Sequence, residues 1–269
     1  MAFSVNTNQG AFVALQQLSS TNKQLSVTQN RINTGLKVAG AADGAATFAI
    51  AQNIRADVAG LNAVSSSLDR AISAVDVALN AAESVGDLLN QLRETAVAAS
   101  DAGLDSASRS ALQDEFQQVL KQIDSIVSSA SFNGTNLVSA ANSVTAIDSD
   151  GNAIFSVQGS ALTVSSLGVS STFATATAAQ SVVTEIDTAI STVNSALSNL
   201  GAGRNRLDLQ ATFIGKLKDT LQVGIGNLVD ADLAKESANL QALQVRQQLG
   251  LQALSIANQA PGSILALFR

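Results

Sequence analysis

The chain has 269 residues, 46% of them hydrophobic and only 13% charged, with a net charge of −6. Phe supplies every aromatic side chain and both Cys and His are absent, which excludes disulfides, thiolate or imidazole metal sites, and histidine acid–base chemistry. The acidic balance argues against nucleic acid, whose affinity rests on Lys and Arg, and no apolar run reaches the ~18 residues of a membrane span, so no membrane insertion is expected.

The first helix is predicted over about 11–36. Leu15, Leu18, Asn22, Leu25, Gln29, Ile32 and Leu36 follow a 3-4 spacing, with Asn22 and Gln29 either setting register or simply weakening the helix. Gly35, Gly40 and Gly44 then mark a loop, and Asp43 is the expected N-cap of the next helix, about 45–100. Its seam is read as Ile54, Leu61, Val64, Leu68, Ile72, Val75, Leu79 and Ala82, continuing to Leu89 and Ala96, before Asp101-Ala102-Gly103 stops it. A shorter helix, about 106–129, carries Leu112, Phe116, Val119, Leu120, Ile123 and Val127 on its apolar face.

Composition shifts at residue 131. From there to about 177 the chain is rich in Ser, Thr, Asn and Gly. Val144–Ile147 and Ile154–Val157 flank Asp148-Ser149-Asp150-Gly151-Asn152 as a hairpin, and Leu162–Val164 is a candidate third strand. A helix beginning near residue 178 contains Ile186, Ile190, Val193, Leu197, Leu200, Arg204, Leu207, Ala211, Ile214, Lys218, Leu221, Ile225 and Leu228, an unbroken 3-4 seam. At ~1.5 Å per residue it would run roughly 65 Å, more than a compact domain needs. Arg204 and Lys218 are where this seam is expected to meet solvent or another subunit.

The last helix, about 229–257, carries Val229, Leu233, Leu240, Leu243, Leu254 and Ala257, one residue out of phase with the preceding seam. That slip reads as a domain boundary. A second stripe, Ala238, Val245, Leu249 and Ile256, makes this helix apolar on two faces, so it must be surrounded, by the N-terminal helix and by copies of the same chain. The expected fold is mainly α: long antiparallel coiled-coil helical rods, a small β-hairpin region, and paired N- and C-terminal helices.

Several segments together resemble bacterial flagellin over nearly the whole chain. Gln29-Asn-Arg-Ile-Asn-Thr-Gly-Leu-Lys37, Ala42-Asp-Gly-Ala-Ala46 and Phe132-Asn-Gly134 are similar to the family's N-terminal block. Leu200-Gly-Ala-Gly-Arg-Asn-Arg206, Ala253-Leu-Ser-Ile-Ala-Asn-Gln259 and Ile264-Leu-Ala-Leu-Phe-Arg269 are similar to its C-terminal block. The resemblance implies a short flagellin with terminal core domains only: residues 1–40 and 229–269 forming an inner-tube helical domain, and 41–228 a rod domain with the hairpin region at about 131–177. It implies a structural, non-enzymatic subunit polymerising into the filament for motility; a hook–filament junction protein, or a filament selected for adhesion or host-receptor binding, is the alternative.

No cofactor is implied. The implied partners are copies of the chain, the flagellar junction and cap proteins, and an export chaperone, with secretion to the filament occurring without a cleaved signal. Phe3, Leu15, Leu18, Leu25, Ile32, Leu240, Leu243, Leu254 and Phe268 are the expected assembly surface. Terminal helices apolar on several faces are expected to order only on assembly. Asn90–Ala98 aligns with the segment read by the Toll-like flagellin receptor: Arg93, Glu94, Ala96 and Val97 match, and Glu115 matches a supporting position. Gln91 and Thr95 stand where the family has Arg and Leu, so receptor recognition should be weakened.

Other motifs have plainer readings. Gly201-Ala-Gly-Arg-Asn-Arg206 begins like a dinucleotide fingerprint but lacks the third Gly and the preceding strand, so close helix packing is preferred. Asp148–Asn152 lacks the frame and closing Glu of a calcium loop and reads as a turn. Asp114 and Glu115 are adjacent on a helix, point different ways, and read as a solvated face rather than an acid–base pair.

Overall fold

The computed structural model describes residues 7–265, with side chains described to residue 259. In chain order the elements are α1 (Gln9–Thr34), α2 (Ala41–Ala99), α3 (Ser106–Ser129), β1 (Ser143–Ile147), β2 (Ala153–Gln158), α4 (Val164–Leu167), α5 (Ala176–Val229) and α6 (Leu233–Leu265). The chain divides into two compact units, one of residues 1–56 with 220–269 and one of residues 57–219.

In the first unit, α1 starts where the Asn8 carboxamide accepts from the Ala11 N–H at 3.1 Å, and ends at Gly35, whose φ of +70° a side chain would strain. The α1 and α6 helices run antiparallel. Asn8 Nδ2 donates to the Ala257 carbonyl at 2.7 Å, Gln247 Nε2 to Asn22 Oδ1 at 2.7 Å, and Arg31 pairs with Glu236 at 3.2 Å. Leu18, Thr21 and Thr28 are buried on α1, and Glu236 and Leu243 on α6. The approach is close: a Cβ on Gly250 would lie 3.3 Å from Leu18 Cδ1. Beside the slip at residue 228, α5 ends at Val229, whereas the two compact units divide between residues 219 and 220, within α5. Lys37 and Val38 N–H groups donate to the Val229 carbonyl, and Ala231 N–H to the Gly35 carbonyl. Val38, Ala51 and Val229 form a small core there with Leu36, Phe48, Ile225 and Leu228.

In the second unit, α2 and α5 are antiparallel. Arg93 pairs with Asp187 at 2.7 Å, Arg204 with Asp76 at 3.2 Å, and Lys218 Nζ donates to Asn62 Oδ1 at 3.1 Å; each step down α2 is matched by an equal step up α5. Arg204 and Lys218 bridge to α2 at the solvent edge of the seam, the Arg204 side chain remaining 40% exposed. The α3 helix is capped by Asp105 and buries Phe116 against Phe173, edge to face, with centroids 5.2 Å apart. The β1–β2 hairpin is antiparallel, pairing Val144 with Val157. It seats on α5 at Gly203, where an added Cβ would come within 2.6 Å of Val157, while the Arg206 guanidinium lies 3.7 Å over the Phe155 ring.

The seams keep the expected 3-4 spacing but not always the expected phase. On α2 the buried row is Leu61, Val64, Leu68, Ala71, Val75, Ala78, Ala82, Val85, Leu89, Leu92, Ala96 and Ala99. Ile72 and Leu79 are only half-buried beside it. On α5 the row includes Ile186, Ala189, Val193, Ala196, Leu200, Gly203 and Leu207, so Ile190, Leu197 and Arg204 flank it. On α1, Ala14, Thr21 and Thr28 take the inward places expected of Leu15, Asn22 and Gln29, which are exposed. On α6, Leu233 is exposed.

Two local expectations also change. Asp43 does not cap forward: it sits just before a break in α2 at Gly44 (φ 175°, ψ 86°), and its carboxylate reaches back to the Ala39 and Gly40 N–H groups at 3.0 and 3.2 Å. Leu162–Val164 is not a strand, because the Thr163 hydroxyl caps the single turn of α4 and the Leu162 and Leu167 side chains bury.

Candidate functional site

The α1–α6 pair uses one stripe of each helix and leaves large apolar side chains outside it. Phe12, Val13, Leu15 and Val27 are exposed on α1, Phe12 at 66%. Leu233, Val245, Leu249, Leu251 and Ile256 are exposed on α6, Ile256 at 69%. Val245, Leu249 and Ile256 repeat at i, i+4 and i+11, which keeps them on one face of the helix. Full burial of each such side chain stabilises by roughly 1.5–3 kcal/mol. Two helices that expose this many have most of that energy left to gain from another protein surface.

The residues expected at the assembly surface divide. Leu18 and Leu243 are buried between α1 and α6, and Leu25, Ile32, Leu240 and Leu254 are half-buried there. Leu15 points outward, and Phe3 and Phe268 lie outside the described residues. Phe12, Val13, Val27 and Leu251 belong to the outward set without having been singled out. The signal that finds them is the corrected phase: once Ala14 and Leu18 are inward, Phe12 and Val13 are not.

One ion pair sits within this site. Glu236 is 8% exposed and pairs through Oε1 with Arg31 Nη1, while Glu236 Oε2 and Arg31 Nε are buried without a partner. Glu236 is the buried partner while the Arg31 side chain keeps 34% of its exposure, so desolvation of the carboxylate offsets part of the attraction. It joins α1 to α6 one turn from the helix break at residues 230–232.

The receptor-like stretch lies on α2 and α3. Gln91, Arg93, Glu94 and Glu115 are exposed, but Arg93 already holds Asp187. Thr95 is 8% exposed and its hydroxyl donates to the Gln91 carbonyl at 3.1 Å, so it offers no side chain to a binder. Gly203 is a packing residue, as preferred over a nucleotide loop, whereas a Cβ on Gly201 would meet nothing within 4 Å. The Asp148 carboxylate accepts from the Asp150 and Asn152 backbone N–H groups and from the Asn152 side chain. These bonds close a turn and hold that carboxyl below its ordinary range, the Asn152 backbone bond being the main cause. Asp114 and Glu115 are both exposed on α3. Three grooves along α1, about 390, 430 and 800 Å³, are open and lined by residues such as Phe12, Leu15, Ser19, Lys23 and Arg246.

No helix among the described residues is long and apolar enough to cross a membrane. Comparison with known proteins finds the bacterial flagellin N-terminal helical region at residues 5–143 and the bacterial flagellin C-terminal helical region at residues 183–268. Flagellin FljM of Caulobacter vibrioides is 48% identical over 270 residues, covering 99% of this chain and 98% of that one. The Brucella melitensis flagellin is 36% identical over 285 residues, covering 99% of each. Among solved structures, a putative flagellar hook-associated protein from Vibrio parahaemolyticus shares the fold, with a TM-score of 0.57 at 14% identity over 70% of this chain and all of that one.

Proposed function

The chain belongs to the bacterial flagellin family and is a structural, non-enzymatic subunit that self-polymerises into the flagellar filament, and from that premise we propose that the outward apolar face of the α1–α6 pair is where copies meet. The observation that carries this is the stripe Val245, Leu249 and Ile256, exposed on α6 opposite the residues that hold α1. Leu15 contributes to it directly. Leu18, Leu25, Ile32, Leu240, Leu243 and Leu254 contribute by closing the pair that presents it. Residues 1–40 and 229–269 make the inner tube, and 41–228 the surrounding rod.

A charge inside a surface that must lose water costs several kcal/mol. Leu249→Asp should therefore abolish seeded polymerisation, read by electron microscopy and sedimentation, while the free subunit keeps its helical circular dichroism. Filaments forming at the wild-type critical concentration would refute this surface.

The same exposed stripe supports an export chaperone covering the C-terminal helix before assembly, and junction and cap proteins engaging it at the filament ends. In the free subunit the terminal helices exchange their amides rapidly and order on polymerisation; slow exchange over residues 7–35 in a verified monomer would overturn that. Recognition by the Toll-like flagellin receptor is weak, supported by the inward Thr95 and by Arg93 engaged with Asp187.

A further inference from the structure

We infer that Asn133 is a site of spontaneous deamidation, converting one neutral residue per subunit to aspartate or isoaspartate. Asn133-Gly134 is the chain's one Asn-Gly pair. The reaction needs a backbone nitrogen free to attack a free side-chain amide, with nothing crowding the approach. All three conditions meet here. Asn133 is exposed with φ +48°, Gly134 follows with φ +80°, and a Cβ on Gly134 would meet nothing within 4 Å. Neither the Asn133 carboxamide nor the Gly134 N–H has a hydrogen-bond partner among the described residues.

Among the described residues the other loop asparagines are held. Asn136 Nδ2 donates to the Val127 carbonyl, Asn142 Nδ2 to the Asn136 carbonyl, and Asn152 Nδ2 to Asp148 Oδ2. Asparagines inside the helices precede residues whose N–H groups are committed to the helical ladder.

In the first step the Gly134 nitrogen loses its proton to water and bonds to Asn133 Cγ. The bond from Cγ to the amide nitrogen breaks, ammonia leaves, and a five-membered succinimide remains. Water then adds to either ring carbonyl, which leaves an ordinary aspartate at this position by one opening and the isoaspartyl linkage by the other. No oxidant, reductant or enzyme is required. Two hydrogen bonds across the turn, Phe132 N–H to the Thr135 carbonyl at 2.9 Å and Thr135 N–H to the Phe132 carbonyl at 3.0 Å, restrain the backbone swing that ring closure needs. The folded chain thus reacts more slowly than the denatured one. The new carboxylate enters an open groove of about 420 Å³ that Arg70 also lines, and Arg70 has no ion-pair partner among the described residues.

The test incubates the purified full-length chain at mildly alkaline pH, folded and in denaturant, and follows acidic variants by ion exchange, peptide mass mapping and enzymatic isoaspartate labelling. The expected result is a first-order acidic species mapping to Asn133, released ammonia in matching amount, and a several-fold faster course in denaturant. Asn133→Gln should remove the species. Gly134→Ala should slow it in denaturant, where folding of the turn plays no part. An unmodified Asn133 in the folded chain after the denatured chain has fully converted would overturn the inference, as would an acidic species mapping to another asparagine.

Discussion

Gly201 and Gly203 lie two residues apart on α5, yet substitution by Ala should stabilise at Gly201 and not at Gly203. At Gly201 an added Cβ meets nothing within 4 Å, so Gly201→Ala gains only the helix-propensity difference, about 0.8–1 kcal/mol. At Gly203 the same methyl would lie 2.6 Å from Val157 Cγ1 and 2.9 Å from Cγ2. Val157 is 3% exposed and, being β-branched, has little rotamer freedom to yield. Overpacking of this kind costs about 1–3 kcal/mol, which offsets the propensity gain and leaves Gly203→Ala neutral to about 2 kcal/mol destabilised. The strain falls on the hairpin, so Phe155 should lift from Arg206. Val157→Ala removes the opposing methyls, and in the double variant the methyl introduced on α5 fills the gap. The double-mutant cycle should then show a favourable coupling of about 1–2 kcal/mol. Because the perturbation is local to the hairpin, the readout is amide exchange at Ala146 and Val157 alongside helical circular dichroism, rather than one melting temperature. If Gly203→Ala stabilises the hairpin as much as Gly201→Ala stabilises the helix, the packing reading of this segment fails.

Arg109 closes the turn between α2 and α3 by donating to the Ala99, Asp101 and Leu104 carbonyls; Arg109→Met should cost about 1.5–3 kcal/mol locally, seen as faster exchange over residues 96–104, and Arg109→Lys should recover only part because an ammonium lacks the planar fork. Asp105 caps α3, and bonds from the Ser108 N–H and then its hydroxyl hold the carboxyl below its ordinary 3.8. A depressed carboxyl stabilises fully above the unfolded value and loses that contribution as pH falls through the lower folded value, so thermal scans from about pH 5 to about pH 2 should show an acid-side loss that Asp105→Asn, which keeps a cap, diminishes. Residues 57–219 hold 17 acidic against eight basic side chains, so copies brought together repel; the critical concentration for polymerisation should fall as salt rises to ~0.15 M, where the screening length is about 8 Å, and a salt-independent value would show that these charges do not face one another.

Helix order, the α3 limits and the hairpin were legible because each has a strong local cause. Asp105 and Asn8 are polar caps, Gly35 is a left-handed stop, and Asp148–Asn152 binds its own backbone. The phase of the seams was less legible, and the misses share one physical origin. Wherever a small residue sits one place before a bulky or polar one, as in Ala14-Leu15, Thr21-Asn22, Ala71-Ile72, Ala78-Leu79, Ala189-Ile190 and Ala196-Leu197, either can continue a 3-4 repeat. Hydrophobicity favours the bulky member in the Ala pairs, and at Thr21-Asn22 the 3-4 count from Leu15 and Leu18 alone favours Asn22. Packing favours the small one, because helix axes draw closer where side chains are short, and the larger neighbour then covers the seam from its edge. The strand expected at Leu162–Val164 failed for a different reason: β-branched composition signalled a strand, but the Thr163 hydroxyl turns the chain and both flanking leucines find a core.

The phase has consequences for assembly, because one residue of shift turns a helix face by about 100°. Reading Leu15 as inward would hide it within the α1–α6 pair; with Ala14 inward, Leu15 joins Phe12 on the outside. The same choice repeats along α6, where Leu243 and Gly250 serve the pair while Val245, Leu249 and Leu251 do not. Seams built partly from Ala, Thr and Gly bury little area per turn, so α1 and α6 hold each other thinly. Their larger side chains are correspondingly released to the outer faces. Thin pairing within a subunit and broad apolar surface outside it thus have one compositional cause. A pair packed with Leu at every seam position would be firmer alone and would leave less for the next copy to bury. In a filament subunit, the small residues at the seam are therefore part of the assembly surface even though they never touch it.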